Sequence, residues 1–185
     1  MSIRLAVKSD IPRILEIYSP YVLKTTYSFE YTVPTLDVFT RRFEEITARF
    51  PWLVYEENGE VLGYAYGSAP FDRAAYQWMA EASVYLSENA RRQGIGRKLY
   101  GALERILQQQ GYVRVYALVT EENTESLDFH RAVGYRDSVT FERCGYKQGR
   151  WLGVIWLEKT LNSIETNIQP PISVGEIGNI DTFFR

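Results

Sequence analysis

Cysteine and histidine each occur once in the 185 residues, as Cys144 and His130, and methionine occurs twice. A single thiol cannot close an intramolecular disulfide, so nothing requires an oxidising compartment. No apolar run approaches the roughly 20 residues of a membrane helix. The chain begins Met1-Ser2-Ile3-Arg4 and passes directly into a mixed polar pattern, without the apolar stretch of a secretory signal. Charge of neither sign dominates: 21 Lys and Arg stand against 23 Asp and Glu, a net charge of −2, and no long basic run appears. Nucleic acid is therefore not an expected partner. These absences lead to the expectation of a soluble, cytoplasmic protein with neither membrane nor metal.

What remains is an ordinary globular mixture, 45% hydrophobic and 24% charged, rich in tyrosine with 14 residues. Ile3, Leu5 and Val7 alternate with polar residues as in a half-buried strand. Ser9, Asp10 and Pro12 mark a helix start, with Ile11, Ile14, Leu15, Tyr18 and Tyr21 at helical spacing. Thr35 and Asp37 open a second helix, through Phe39, Phe43, Ile46 and Phe50, that Pro51 ends. Asn58-Gly59 between two apolar runs predicts a hairpin. Later come a strand over about 78–86, a helix over 96–110 closed by Gly111, a strand over 113–119, a helix over 122–133 ended by Gly134, and strands over 135–144 and 151–159. The alternation predicts an α/β fold, with one domain over 1–161. From Asn162 the pattern dissolves around Pro170-Pro171, and 162–185 reads as a tail, extended or poorly ordered.

The most informative stretch is Val84-Tyr85-Leu86, then Arg91-Arg92-Gln93-Gly94-Ile95-Gly96, then a helix beginning near Arg97. The first helical N–H groups lack intrahelical partners and carry the positive end of the helix dipole, so they attract anions. Gly94 and Gly96 let the backbone approach a pyrophosphate, and Arg91, Arg92 and Arg97 add charge-assisted contacts. A nucleotide P-loop would end in Gly-Lys-Ser/Thr, and a dinucleotide fingerprint would carry a third glycine. Here Arg97 follows Gly96 and Leu99 takes the third position, so neither fits.

This segment resembles the pyrophosphate-binding motif of the GCN5-related N-acetyltransferases. Asn123, Ser126, His130 and Gly134-Tyr135 match that superfamily's later segment. Thr25-Thr26-Tyr27-Ser28-Phe29-Glu30, Ala75-Tyr76, Glu81-Ala82-Ser83-Val84-Tyr85 and Gly145-Tyr146-Lys147-Gln148-Gly149-Arg150-Trp151 are similar to the phosphinothricin and methionine-sulfoximine acetyltransferase group. The match covers about residues 2–161 in one register. The resemblance implies a mixed, mostly antiparallel twisted sheet of about seven strands with helices on both faces.

It also implies acetyl-CoA as co-substrate, a small amine as acceptor, and direct transfer in a ternary complex. Val84, Tyr85 and Leu86 would offer backbone groups to the pantetheine arm, Arg92 through Arg97 would form the pyrophosphate loop, and Asn123 would touch the arm or cap a helix. Glu81 matches the carboxylate that draws a proton from the amine. His130 stands where many relatives carry a tyrosine general acid, with a structural role as its alternative. Phe29, Glu30, Arg73 and Tyr76 fall in loops that line the acceptor pocket. Relatives commonly show two arginines flanking one residue where this chain reads Phe71-Asp72-Arg73, and Met79-Ala80 replaces their Thr-Val. Cys144 is expected to be a small core residue, and the chain to pair as a homodimer. Other acceptors (a polyamine, a drug, a protein amino terminus) and a non-catalytic acyl-CoA sensor are the alternatives.

Overall fold

Asn58 and Gly59 both adopt left-handed backbone angles, φ 52° and 80°, and turn strand β2 (Trp52–Glu57) into β3 (Glu60–Ser68). That is the two-residue hairpin the Asn-Gly pair predicts. The computed structural model describes residues 2–164 and 169–184. Its seven-stranded sheet also contains β1 (Ser2–Leu5), β4 (Met79–Leu86), β5 (Arg114–Thr120), β6 (Arg136–Lys147) and β7 (Arg150–Thr160), in the order β1-β2-β3-β4-β5-β7-β6. Every neighbouring pair is antiparallel except β4 and β5, the mixed and mostly antiparallel sheet expected.

Alternation along β2 divides the core. Trp52, Val54 and, from β3, Tyr64 join one buried cluster with helices α1 (Ile11–Lys24) and α2 (Leu36–Thr47) through Ile14, Tyr18, Phe39 and Phe43. Leu53, Tyr55 and Ala65 face the other way, into a cluster with Leu99, Leu103 and Ile106 of α3 (Ile95–Gln110). Leu127 of α4 (Thr124–Ala132) belongs to the same side. Both helical faces thus exist because β2 and β3 are apolar at odd and even positions alike, as central strands must be. Helix ends follow the sequence signals: Thr35 accepts a hydrogen bond from Val38 N–H, and Gly111 at φ 97° closes α3.

Two expectations change. Cys144 is exposed, not a core residue. It lies where the β6–β7 register slips between Phe141 and Gly145, and Arg143 beside it takes φ 49°. The bulge turns this stretch of an edge strand outward, which alternation cannot foretell. Beyond 161, the described residues 169–184 are not merely extended. They carry two short 3₁₀ turns, Val174–Glu176 and Ile180–Phe184, the first closed by Ser173 and Glu176 bonding each other reciprocally. Val174, Ile177, Ile180, Phe183 and Phe184 pack on the α3-side core.

Candidate active site

The β4–β5 ladder is parallel and only three pairs long, Met79↔Arg114, Ala80↔Val115 and Glu81↔Tyr116. Beyond Glu81 the two strands run on to Leu86 and Thr120 without pairing, so the sheet forks. A strand edge inside a fork presents alternate backbone groups to the gap. The Tyr100 hydroxyl sits 3.0 Å from Ala82 O, and Tyr21 takes both groups of Leu86, donating to its carbonyl at 2.7 Å and accepting from its N–H at 3.2 Å. Ala82 and Leu86 therefore face the gap, and the same parity turns the N–H and C=O of Val84 towards it. Leu86 was expected to offer its backbone to an incoming arm. Tyr21 holds that backbone instead, and Leu86 contributes its side chain.

The gap opens into a groove in two stretches. The inner one, about 70 Å³, is bounded by β4 from Ala82 to Tyr85, β5 from Ala117 to Val119, and Asn123, Ser126 and His130. The outer one, about 450 Å³, runs past Val84, Leu86, Arg91, Arg92, Gly96 and Phe129. Tyr21, Tyr27, Val84, Asn123 and Ser126 border both. At the outer end Gly94, φ 76°, is the N-cap of α3, with no side-chain oxygen over the first helical N–H groups. A Cβ on Gly94 would meet no protein atom within 4 Å, so a side chain there would project into open space at the helix mouth. Asn123 caps α4 by accepting from Ser126 N–H at 3.2 Å, the cap reading, and it also borders the groove.

The basic residues divide. Arg91 lies over the Tyr21 ring at 5.2 Å, at the groove. Arg92 pairs with Glu125 on the surface, and Gln93 bonds Asn89 O. Ile95 is core, and Arg97 borders a separate cavity with Lys98 and Tyr55. Of these residues Arg91 and Arg92 border the outer groove, beside the bare mouth of α3.

Glu81, half-buried, stands at the last β4–β5 pair. Burial pushes its carboxyl up to about 7, the range in which a base works best at neutral pH. His130 has a different character from the proton donor expected. It is 3% exposed, its Nδ1 lies 2.7 Å from Ser126 O, and its Nε2 lies 2.8 Å from the Tyr100 hydroxyl. A carbonyl only accepts, so Nδ1 carries the proton that goes to Ser126 O, and the single Tyr100 hydroxyl proton lies between two acceptors, Ala82 O and His130 Nε2. Burial holds the ring down to about 4, so at neutral pH it is uncharged. Tyr100, Tyr21 and Tyr27 escaped the sequence reading because they sit at helix and loop positions that spacing assigns to core or solvent.

Of the four acceptor residues, none borders the groove. Phe29 lies against Gly145, where a Cβ would fall 2.1 Å from its ring, so any side chain there would have to displace Phe29. Glu30 pairs with Arg42 and keeps one buried oxygen without a partner. Lys147, 4% exposed, donates to Val22 O at 2.7 Å and Ser28 O at 2.6 Å, fastening their loop to the β6–β7 hairpin. Tyr76 packs with Phe71 at 4.6 Å, Phe71 stacks on Trp156, and Trp156 meets Tyr116, the pairing partner of Glu81. Arg73 is exposed at the start of a short 3₁₀ turn.

A forked strand edge, a bare helix N-terminus at its outer end and a carboxyl that burial raises to about 7 are compatible with an acyl-transfer enzyme. More particularly, the chain belongs to the GNAT family: the family model described as "Acetyltransferase (GNAT) domain" matches residues 3–156. It is 34% identical to a phosphinothricin N-acetyltransferase of Streptomyces viridochromogenes over 82% of each chain. It is 35% identical to an L-methionine sulfoximine/L-methionine sulfone acetyltransferase of Pseudomonas aeruginosa, over 87% of this chain and 95% of that one. Among solved structures, a phosphinothricin acetyltransferase from Sinorhizobium meliloti in complex with AcCoA superposes with a TM-score of 0.85 at 32% identity, covering 93% of this chain and 97% of the other. The protein is accordingly an acetyl-CoA-dependent N-acetyltransferase.

Proposed function

We propose that the chain acetylates the α-amino group of a small amino acid or analogue of the phosphinothricin or methionine-sulfoximine kind. The observation carrying this is Glu81 at the fork, with its carboxyl raised to about 7. An α-amino group titrates near 8, so a base of that strength can take its proton, directly or through a water. The freed lone pair attacks the thioester carbonyl carbon, the C–S bond breaks, and the sulfur departs with the electron pair. Val84 holds the arm by its backbone, with Asn123 and Ser126 alongside, and the α3 N-terminus with Arg91 holds the pyrophosphate. A thiol with a free pKa near 8.5 leaves readily as thiolate, and His130 serves as a neutral strut that fixes Tyr100 against β4. Arg73 favours an acceptor bearing a carboxylate, and the activities for which the relatives are named support the same class.

The test is thiol release from acetyl-CoA against phosphinothricin, methionine sulfoximine, common amino acids, spermidine and an aminoglycoside. Release stimulated by the amino-acid-like compounds alone is expected. Release with spermidine or the aminoglycoside alone would replace the acceptor class. Tight acetyl-CoA binding with no stimulated release would favour a sensor. A cytoplasmic location and a homodimer belong to the same proposal. No helix among the described residues is long and apolar enough to cross a membrane. The outer strand exposes Val139 and Phe141, and Trp151 beside it is 60% exposed, apolar surface that a second copy would cover. Sedimentation equilibrium reads the latter directly.

A further inference from the structure

The C-terminal residues 169–184 lie outside the matched family domain and take no part in the groove. Their polar bonds nonetheless converge on one place. Trp78 Nε1 donates to Gln169 O at 3.0 Å. Ile172 N–H donates to Gln110 O, and Val174 N–H to Arg49 O. Gln110, 2% exposed, answers with its amide, which donates to Ile172 O and Arg49 O at 2.8 Å each. The Arg49 guanidinium, lying over the stacked rings of Phe50 and Tyr112, then reaches Gln77 O at 3.0 Å. Gln77 and Trp78 are thus gripped by the tail, one through Arg49 and one directly.

Those two residues are the hinge between the loop that carries Arg73 and Tyr76 and the strand that carries Glu81. Trp78 O also accepts from Val113 N–H at 2.8 Å, where the three-pair β4–β5 ladder begins. A grip at this point sets where the loop leaves the sheet and how Glu81 enters the fork. The rest of the tail is anchored elsewhere: Val174, Ile177, Ile180, Phe183 and Phe184 pack on the core, and Arg105 donates to Phe183 O. The segment is therefore an arm held by apolar contacts at its far end and bonded to the acceptor loop at its near end.

We infer that residues 169–184 position the acceptor site, fixing Gln77–Trp78 and through them the 70–77 loop and Glu81, while leaving acetyl-CoA binding untouched. This rests on the reading of that loop and Glu81 as the acceptor side of the enzyme. Trp78, Arg49 and Gln110 are positioning residues, since none reaches the groove.

Two variants test it: a chain ending after Ser163, and Trp78→Phe, which keeps an aromatic ring there and removes the indole N–H donor. The readouts are the acceptor KM and kcat with phosphinothricin or methionine sulfoximine, the acetyl-CoA Kd by calorimetry, and amide hydrogen exchange. For Trp78→Phe the acceptor KM should rise about fivefold, the effect of one lost hydrogen bond. In the shortened chain kcat/KM for the acceptor should fall about tenfold or more through misplacement. Acetyl-CoA Kd should stay within about twofold of the full chain, below the effect of one such bond. Exchange over 70–80 should quicken while that of α4 does not. Unchanged acceptor KM and kcat with unchanged exchange over 70–80 would overturn the inference, as would equal weakening of acetyl-CoA binding. Should the shortened chain fail to fold, Trp78→Phe decides by the same measures. Should the full chain acetylate neither compound, the acceptor reading has failed and hydrogen exchange alone decides the positioning claim.

Discussion

At the scale of single residues, function turns on how burial treats two titratable groups on opposite sides of β4. Glu81 is raised to about 7 by desolvation, with no opposing charge to bring it down. The acceptor kcat/KM should therefore rise with pH on a limb centred near 7, and Glu81→Gln should lower turnover about a hundredfold or more and erase that limb. An intact limb in the variant would remove Glu81 from the mechanism. His130 is the only histidine, so its ring gives one unambiguous NMR signal. It should stay neutral, with the proton on Nδ1, down to about pH 4. Tyr100→Phe should leave Nε2 without its hydroxyl partner and shift the nitrogen resonances while His130 stays buried. A midpoint near that of free imidazole, about 6.5, would restore His130 as a proton donor.

Among elements, the decisive ones are the fork and the turn before α3, and they were not equally legible. Gly94-Ile95-Gly96 ahead of an amphipathic helix could be read from residue types, because a left-handed N-cap and a bare helix mouth are local demands. Gly94→Val forces a β-branched residue to φ 76° and projects it where the cofactor would lie. Calorimetry should show acetyl-CoA affinity falling at least tenfold, with a stability loss of about 1–2 kcal/mol. The fork was legible only through resemblance: nothing in Met79 to Leu86 says that its ladder with β5 stops after three pairs. Ladder length depends on a partner 35 residues downstream. Tyr21 on Leu86 and Tyr100 on Ala82 stayed hidden for the same reason, since each contact spans separate elements. The bulge that exposes Cys144 and the polar grip of the tail are likewise non-local, and Pro170-Pro171 masked a segment whose apolar residues pack as single contacts without a period.

For the whole molecule the two shifted groups oppose each other. His130 protonates near 6.5 when unfolded and near 4 when folded, so its contribution is lost as pH falls between them. Glu81 runs the other way. Its folded value is above its unfolded one, so the native state takes the proton first and gains stability as pH falls from about 7 towards 4.5. Each amounts to about 3 kcal/mol at full extent, and the slopes nearly cancel where they overlap. The Tm should thus be nearly flat from about pH 7 to 5 in the native chain. Glu81→Gln should be more stable at about pH 8 and lose several degrees on acidification to about 5. Parallel Tm profiles for the two proteins would show that these groups do not govern acid stability. The fork bears on cohesion too. Only three parallel pairs join the half-sheet β1–β4 to the half-sheet of β5, β7 and β6. An arm bound as proposed would add the strand that the gap lacks, and a ligand at a hundred times its Kd contributes about 2.7 kcal/mol to the folded state. Without that ligand the same gap would leave the chain easier prey for proteases, so its lifetime, and not only its rate, would depend on acetyl-CoA supply.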